Sequence, residues 1–83
     1  MGVDINEVEY SDWVLAKVNQ KHSWTIDDVF DVLEQYETAF WDDDLERGRR
    51  LLVTGRDRWG RKMRVFLYPI DEEAGTFRLG TTL

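Results

Sequence analysis

The chain contains no cysteine, one proline and one histidine in 83 residues. The missing thiols exclude a disulfide framework and any thiolate metal site. No apolar run approaches the roughly 20 residues that a helical membrane span requires, so no membrane association is expected. The first residues, Met-Gly-Val-Asp-Ile-Asn-Glu, lack the basic start and apolar block of a secretory leader, and a cytoplasmic location is expected. Catalytic signatures are also missing: no phosphate-cradling glycine loop carries a lysine, and no serine or cysteine stands in a nucleophile elbow. Asp42-Asp43-Asp44 lacks the spaced ligands and turn glycine of a calcium loop. No metal or other cofactor is expected.

What is present is charge, unevenly placed. The net charge of −6 averages over two blocks, because residues 1–46 carry 13 acidic and 2 basic groups while residues 47–83 carry 9 basic and 4 acidic ones. A basic block suits an anionic partner, and an acidic block repels nucleic acid or attracts a basic protein. The alternative is a pair of helices with solvated acidic faces, balanced by arginines on a sheet. A chain of this length forms one α+β domain, residues 1–83, that buries roughly 60–65% of its unfolded surface.

Hydrophobic periodicity places the elements. Residues 1–10 read only as a lead-in or a short strand. Ser11 is a candidate N-cap for a helix to about Gln20, with Val14, Leu15 and Val18 as its apolar stripe. Thr25-Ile26-Asp27-Asp28 has the form of a capping box, and Ile26, Val29, Phe30, Leu33 and Tyr36 follow at helical spacing to about Gln35. Thr38 to Asp42 reads as a short strand and Asp42 to Gly48 as a charged connection. From Arg49 to Thr82 the alternation predicts a three-stranded antiparallel meander with turns at Gly55–Gly60 and Asp71–Gly75. Pro69 cannot donate a ladder bond, so the end of the middle strand is expected to be frayed, bulged or unpaired on its amide side. Two helices followed by antiparallel strands imply that both helices cover one face of a three- to four-stranded sheet, leaving the other face open.

That open face is the main functional candidate. Leu51, Val53, Met63, Val65 and Leu67 share one parity, and Arg50, Thr54, Arg56, Lys62, Arg64, Phe66 and Tyr68 share the other. Guanidinium groups recognise phosphate bidentately and a tyrosine stacks on an unpaired base, so Arg56, Lys62, Arg64, Tyr68 and Arg78 are candidate RNA contacts. Such a set needs no metal to cleave RNA, since the cations stabilise the phosphorane while a tyrosine or histidine moves the proton. The competing reading is a solvated face with cross-strand charge pairs. His22 beside Lys21 is a second candidate for proton transfer, its neutral form favoured by the neighbouring cation, or else a capping residue. Trp24 and Trp41 are expected in the core. Trp59 stands at a hairpin tip, either as an interface contact or as a lid folded over the arginines. The second helix is expected to present Asp27, Asp28, Asp31 and Glu34 outward, a face suited to a basic protein.

The sequence resembles the BrnT-type toxins of the RelE-like superfamily of toxin–antitoxin systems. The likeness lies in Trp13, Lys17 and Asn19, then Lys21-His22 followed by Ser23-Trp24-Thr25-Ile26-Asp27-Asp28-Val29. It continues through Arg50-Leu51-Leu52-Val53-Thr54-Gly55-Arg56, Gly60-Arg61 and the strand Met63 to Tyr68. The resemblance covers nearly the whole chain and implies a RelE-like fold with ribonuclease activity restrained by a cognate antitoxin. On that reading His22, Tyr68 and Arg64 are catalytic, and Lys21, Arg56, Lys62 and Arg78 hold RNA. The other reading is a catalytically silent fold that modulates a host protein through Asp31, Glu34 and Trp59. A third is a subunit that only scaffolds an assembly.

Overall fold

The computed structural model describes residues 4–82, except for the side chains of Lys21 and His22. The elements are β1 (Glu7–Glu9), α1 (Asp12–His22), α2 (Ile26–Glu34), β2 (Thr38–Asp44), β3 (Gly48–Arg56), β4 (Lys62–Asp71) and β5 (Thr76–Thr82). They build a five-stranded sheet in the order β1-β5-β4-β3-β2. Strands β2 to β5 form an antiparallel meander, and β1 adds to β5 in parallel. The expected α+β class holds, but the sheet has more strands than the alternation suggests. The extra strand is one that sequence periodicity cannot see, because three residues with one half-buried side chain carry no readable pattern.

Local signals set the helices. Ser11 caps α1 by accepting from the Val14 amide at 3.2 Å. Its end is closed by Ser23 in the left-handed region, whose amide donates to the Asn19 carbonyl at 2.7 Å. At the start of α2 the reciprocal box is complete: the Thr25 amide donates to the Asp28 carboxylate at 2.9 Å, and the Asp28 amide to the Thr25 hydroxyl at 3.4 Å. Because Asp28 turns back onto the cap and also accepts from Arg61, it is buried rather than part of an outer acidic face. This corrects the expected four-carboxylate surface of α2.

The core lies where parity places it. Leu51, Val53, Met63, Val65, Leu67, Phe77 and Leu79 line one sheet face against Val18, Trp24, Val29, Val32 and Leu33. Trp41 packs on its margin and meets the Phe77 ring at 6.1 Å between centroids. The two helices do not share one face symmetrically, as expected from their order. Helix α2 crosses β3 and β4, whereas α1 packs along β5. Since β1 pairs only with residues 76–78 of β5, the later part of that strand is free to meet α1. Pro69 is accommodated by a register shift between Pro69 and Asp71. Gly75, at φ 72°, closes the β4–β5 turn and accepts at its carbonyl from the Asn6 and Glu7 amides, which brings β1 to the sheet. No helix among the described residues is long and apolar enough to cross a membrane.

Candidate functional site

The open face is ordered in rows by the strand register. Asp42 pairs with Arg50, and Tyr68 pairs with Arg78. Because Leu51 pairs with Leu67, Arg50 stands beside Tyr68. Asp42, Arg50, Tyr68 and Arg78 thus form one row across four strands. The next row is Phe40, Leu52, Phe66 and Thr81. Beyond it lie Thr54 with Arg64, then Arg56 with Lys62. Lys62 and Arg64 are exposed on the side opposite the buried Met63, Val65 and Leu67, as the alternation requires.

Phe66 departs from the open-face expectation, being only 7% exposed. The Arg50 guanidinium lies 4.3 Å over its ring and covers it. Arg50 is held in place by Asp42, whose Oδ2 accepts from Nε at 3.2 Å and Nη2 at 3.0 Å. That pairing, strengthened further by Tyr68, raises the pKa of Arg50, so it is permanently charged.

A cleft of about 600 Å³ opens over the first row. Its walls are Trp13, Val14 and Lys17 of α1 and the β2–β3 hairpin with Asp44, Glu46, Arg47 and Arg50. Tyr68, Arg78, Gly80 and Thr81 form its floor. Helix α1 packs on β5 with Val18 in the core, and its first two turns bring Trp13, Val14 and Lys17 to the edge of this cleft. Four cations meet two carboxylates in the lining, so the cleft is locally positive although the chain is acidic.

Within the cleft the Tyr68 hydroxyl donates to Asp44 Oδ2 at 2.9 Å. Asp44 Oδ1 also accepts from the Glu46 amide at 3.0 Å, and Arg50 Nη1 lies 3.6 Å from its Oδ2. The backbone bond from Glu46, with the Tyr68 hydroxyl second, holds the Asp44 carboxyl below its ordinary value, so it is ionised at neutral pH. Arg47 stacks over the Tyr68 ring at 5.7 Å and Lys17 over the Trp13 ring at 4.9 Å. Arg78 is exposed and has no ion pair among the described residues. The site therefore offers an oriented hydroxyl, a carboxylate acceptor and several cations within one opening.

Of the residues singled out from sequence, Tyr68 and Arg78 meet in this cleft. Arg64 and Lys62 stand further along β4, with Arg64 about 13 Å from Tyr68 at strand rise, so these two are not brought together. Arg56 is turned toward the Gly60 carbonyl at 2.9 Å and Glu37 at 3.6 Å. The side chains of Lys21 and His22 lie outside the described residues. Arg47, Arg50, Lys17 and Trp13 complete the cleft and were not assigned to it from sequence. Arg50 was legible in principle, since folding a meander with tight turns sets it opposite Tyr68.

Asp31 accepts from Arg58 Nε at 2.6 Å and Nη2 at 3.2 Å, which ties the β3–β4 hairpin to α2. This leaves Glu34 exposed and Trp59 72% exposed at the hairpin tip, so Trp59 is no lid over the arginines. Strand alternation also splits the acidic triplet. Asp42 and Asp44 share the face of Arg50, while Asp43 pairs in register with Arg49 on the other. Among the described residues no group of carboxylates or histidine is gathered to hold a metal ion.

Gly80 sets the position of Tyr68. A methyl group at residue 80 would overlap the Tyr68 ring and approach the Phe66 carbonyl. Gly80→Ala is expected to push the ring off its seat at a cost of about 1–3 kcal/mol. Ring proton shifts of Tyr68 report the displacement, and unchanged shifts would refute the packing described.

No family model, curated protein or solved structure matches this chain.

Proposed function

We propose that this protein binds single-stranded RNA in the cleft between α1 and the β2–β3 hairpin and cleaves it without a metal, as a toxin-type ribonuclease. The observation that carries the reading is the convergence of Tyr68, bonded to an ionised Asp44, with Lys17, Arg47, Arg50 and Arg78 around one opening. The resemblance to BrnT-type toxins supports it, since Lys17, Arg50 and Tyr68 all fall within the stretches that carry that likeness.

The chemistry follows from the groups present. The ribose 2′-hydroxyl gives its proton to the Tyr68 oxygen as Tyr68 passes its own to Asp44. The 2′-oxygen bonds to phosphorus, the bond from phosphorus to the 5′-oxygen breaks, and the leaving oxygen takes a proton from solvent. Arginines stabilise the charge that grows on the phosphoryl oxygens. The products are a 2′,3′-cyclic phosphate and a 5′-hydroxyl.

The test uses a labelled single-stranded 12-mer RNA with a chelator present. Three to five phosphate contacts give a slope of log K against log salt of roughly −2 to −3.5. Tyr68→Phe is expected to retain binding and to slow cleavage by about 10²–10⁴-fold. Binding without cleavage in the wild type removes the enzymatic part of the proposal, and no binding at low ionic strength removes all of it.

The second reading, a modulator that binds a basic protein, is favoured by a different observation. Trp59 is exposed on a hairpin that the Arg58–Asp31 pair fixes beside α2, next to the acidic half of the chain. A rigidly presented tryptophan is a common anchor of protein interfaces.

A further inference from the structure

Trp13 stands in the first turn of α1, where its neighbour Val14 and the buried Val18 turn toward the protein interior. Its ring is 68% exposed and, among the described residues, its ring contact is the Lys17 ammonium one helical turn later. Single exposed aromatics are ordinary on a protein surface. This one differs in position, because it forms the α1 wall of the cleft whose floor is the Tyr68 ring.

Each of these two rings carries a cation, Lys17 on Trp13 and Arg47 on Tyr68. Flat apolar faces interleaved with cations match a polymer that alternates bases with phosphates. The opening of about 600 Å³ lies within the range of small-molecule sites. Resting on the RNA-binding reading above, we infer that Trp13 is a base-stacking residue and that the cleft selects single strands with unpaired bases. A duplex hides its base faces in its own stack and leaves Trp13 nothing to cover.

The test compares three probes, each with 2′-O-methyl riboses so that none can be cleaved, by fluorescence anisotropy with wild-type protein: an eight-nucleotide oligouridylate, an abasic ribose-phosphate strand of the same length, and a blunt RNA duplex. The oligouridylate is expected to bind most tightly. Trp13→Ala is expected to weaken it by about five- to hundredfold, while binding of the abasic strand is unchanged by the substitution. The salt slope stays unchanged, since the phosphate contacts remain, and Trp13→Phe recovers most of the loss. A merely structural role for Trp13 would lower the melting temperature and alter binding of all three probes alike. If the wild type binds the oligouridylate but the abasic strand equally well, or Trp13→Ala is without effect, the stacking inference falls and the phosphate reading stands. If the wild type binds none of the probes, both fall.

Discussion

Leu67→Ala is expected to lower the free energy of unfolding by about 2–5 kcal/mol, whereas Arg64→Ala three residues earlier is expected to change it by less than about 1 kcal/mol. Leu67 is fully buried, and its register partners are Leu51 on β3 and Leu79 on β5. All three project into the same core layer, so truncation leaves a cavity in the middle of the sheet that neighbouring strands cannot collapse to fill. Arg64 lies on the opposite face, exposed, and its loss removes only solvated surface. A domain of this size has about 4–12 kcal/mol of stability to lose, so the leucine substitution removes a large share of it. Urea denaturation followed by tryptophan fluorescence measures both variants. Equal losses would mean that the two faces of β4 are wrongly assigned.

The second large effect is expected at Asp57. Its buried carboxylate accepts from the Trp59 amide at 2.9 Å, the Arg61 amide at 2.9 Å and Arg61 Nε at 2.7 Å. Arg61 in turn reaches Asp28 at 3.4 Å, so one carboxylate orders the β3–β4 turn and joins it to the start of α2. Asp57→Ala leaves the Trp59 and Arg61 amides without their acceptor, while the half-exposed Arg61 side chain turns to water, and at about 1–3 kcal/mol for each part-buried amide left unpaired the expected loss is about 2–4 kcal/mol. Burial alone would push the Asp57 carboxyl up. The bonds from Arg61, backbone and side chain, together with the Trp59 amide, outweigh it and hold the group below its ordinary value of 3.8.

A carboxyl whose value is depressed on folding contributes stability that is fully present above its unfolded value and is lost as the pH falls through the folded one. Asp31, lowered chiefly by its hydrogen bond from Arg58, and Asp44, lowered chiefly by the Glu46 amide, act in the same direction. The wild type is therefore expected to hold a constant urea midpoint down to the ordinary aspartate range and to lose stability below it. Asp57→Ala starts lower and declines less steeply. A variant that declines in parallel with the wild type would show that Asp57 is not one of the groups that couple folding to acid.

How much of this was legible in the chain depends on the range of the signal. The capping box at Thr25, the apolar stripe of α2 and the alternation from Leu51 to Leu67 are local patterns, and each became the element it indicates. The bulge that Pro69 demands was legible for the same reason, since it follows from a missing donor. For residues 1–10 the pattern allowed a lead-in or a short strand, but the place of β1 beside β5 was not legible, because it depends on carbonyls of the Gly75 turn some 68 residues away. Nor was the burial of Phe66 and Asp28, which comes from Arg50 and Arg61 arriving from other strands and turns.

The same division runs through the candidate site. Sequence alone determined that β4 has a polar face bearing Lys62, Arg64 and Tyr68, because the two-residue repeat of a strand leaves no freedom once its partner face is apolar. Which of those residues share an opening was decided only by the tertiary structure. The meander register set Arg50 beside Tyr68, the turn before β3 brought Arg47 over its ring, and α1 carried Trp13 and Lys17 across from residues more than fifty positions earlier. Parity assigns a side chain to a face, but only the packing of α1 along β5 assigns that face a second wall.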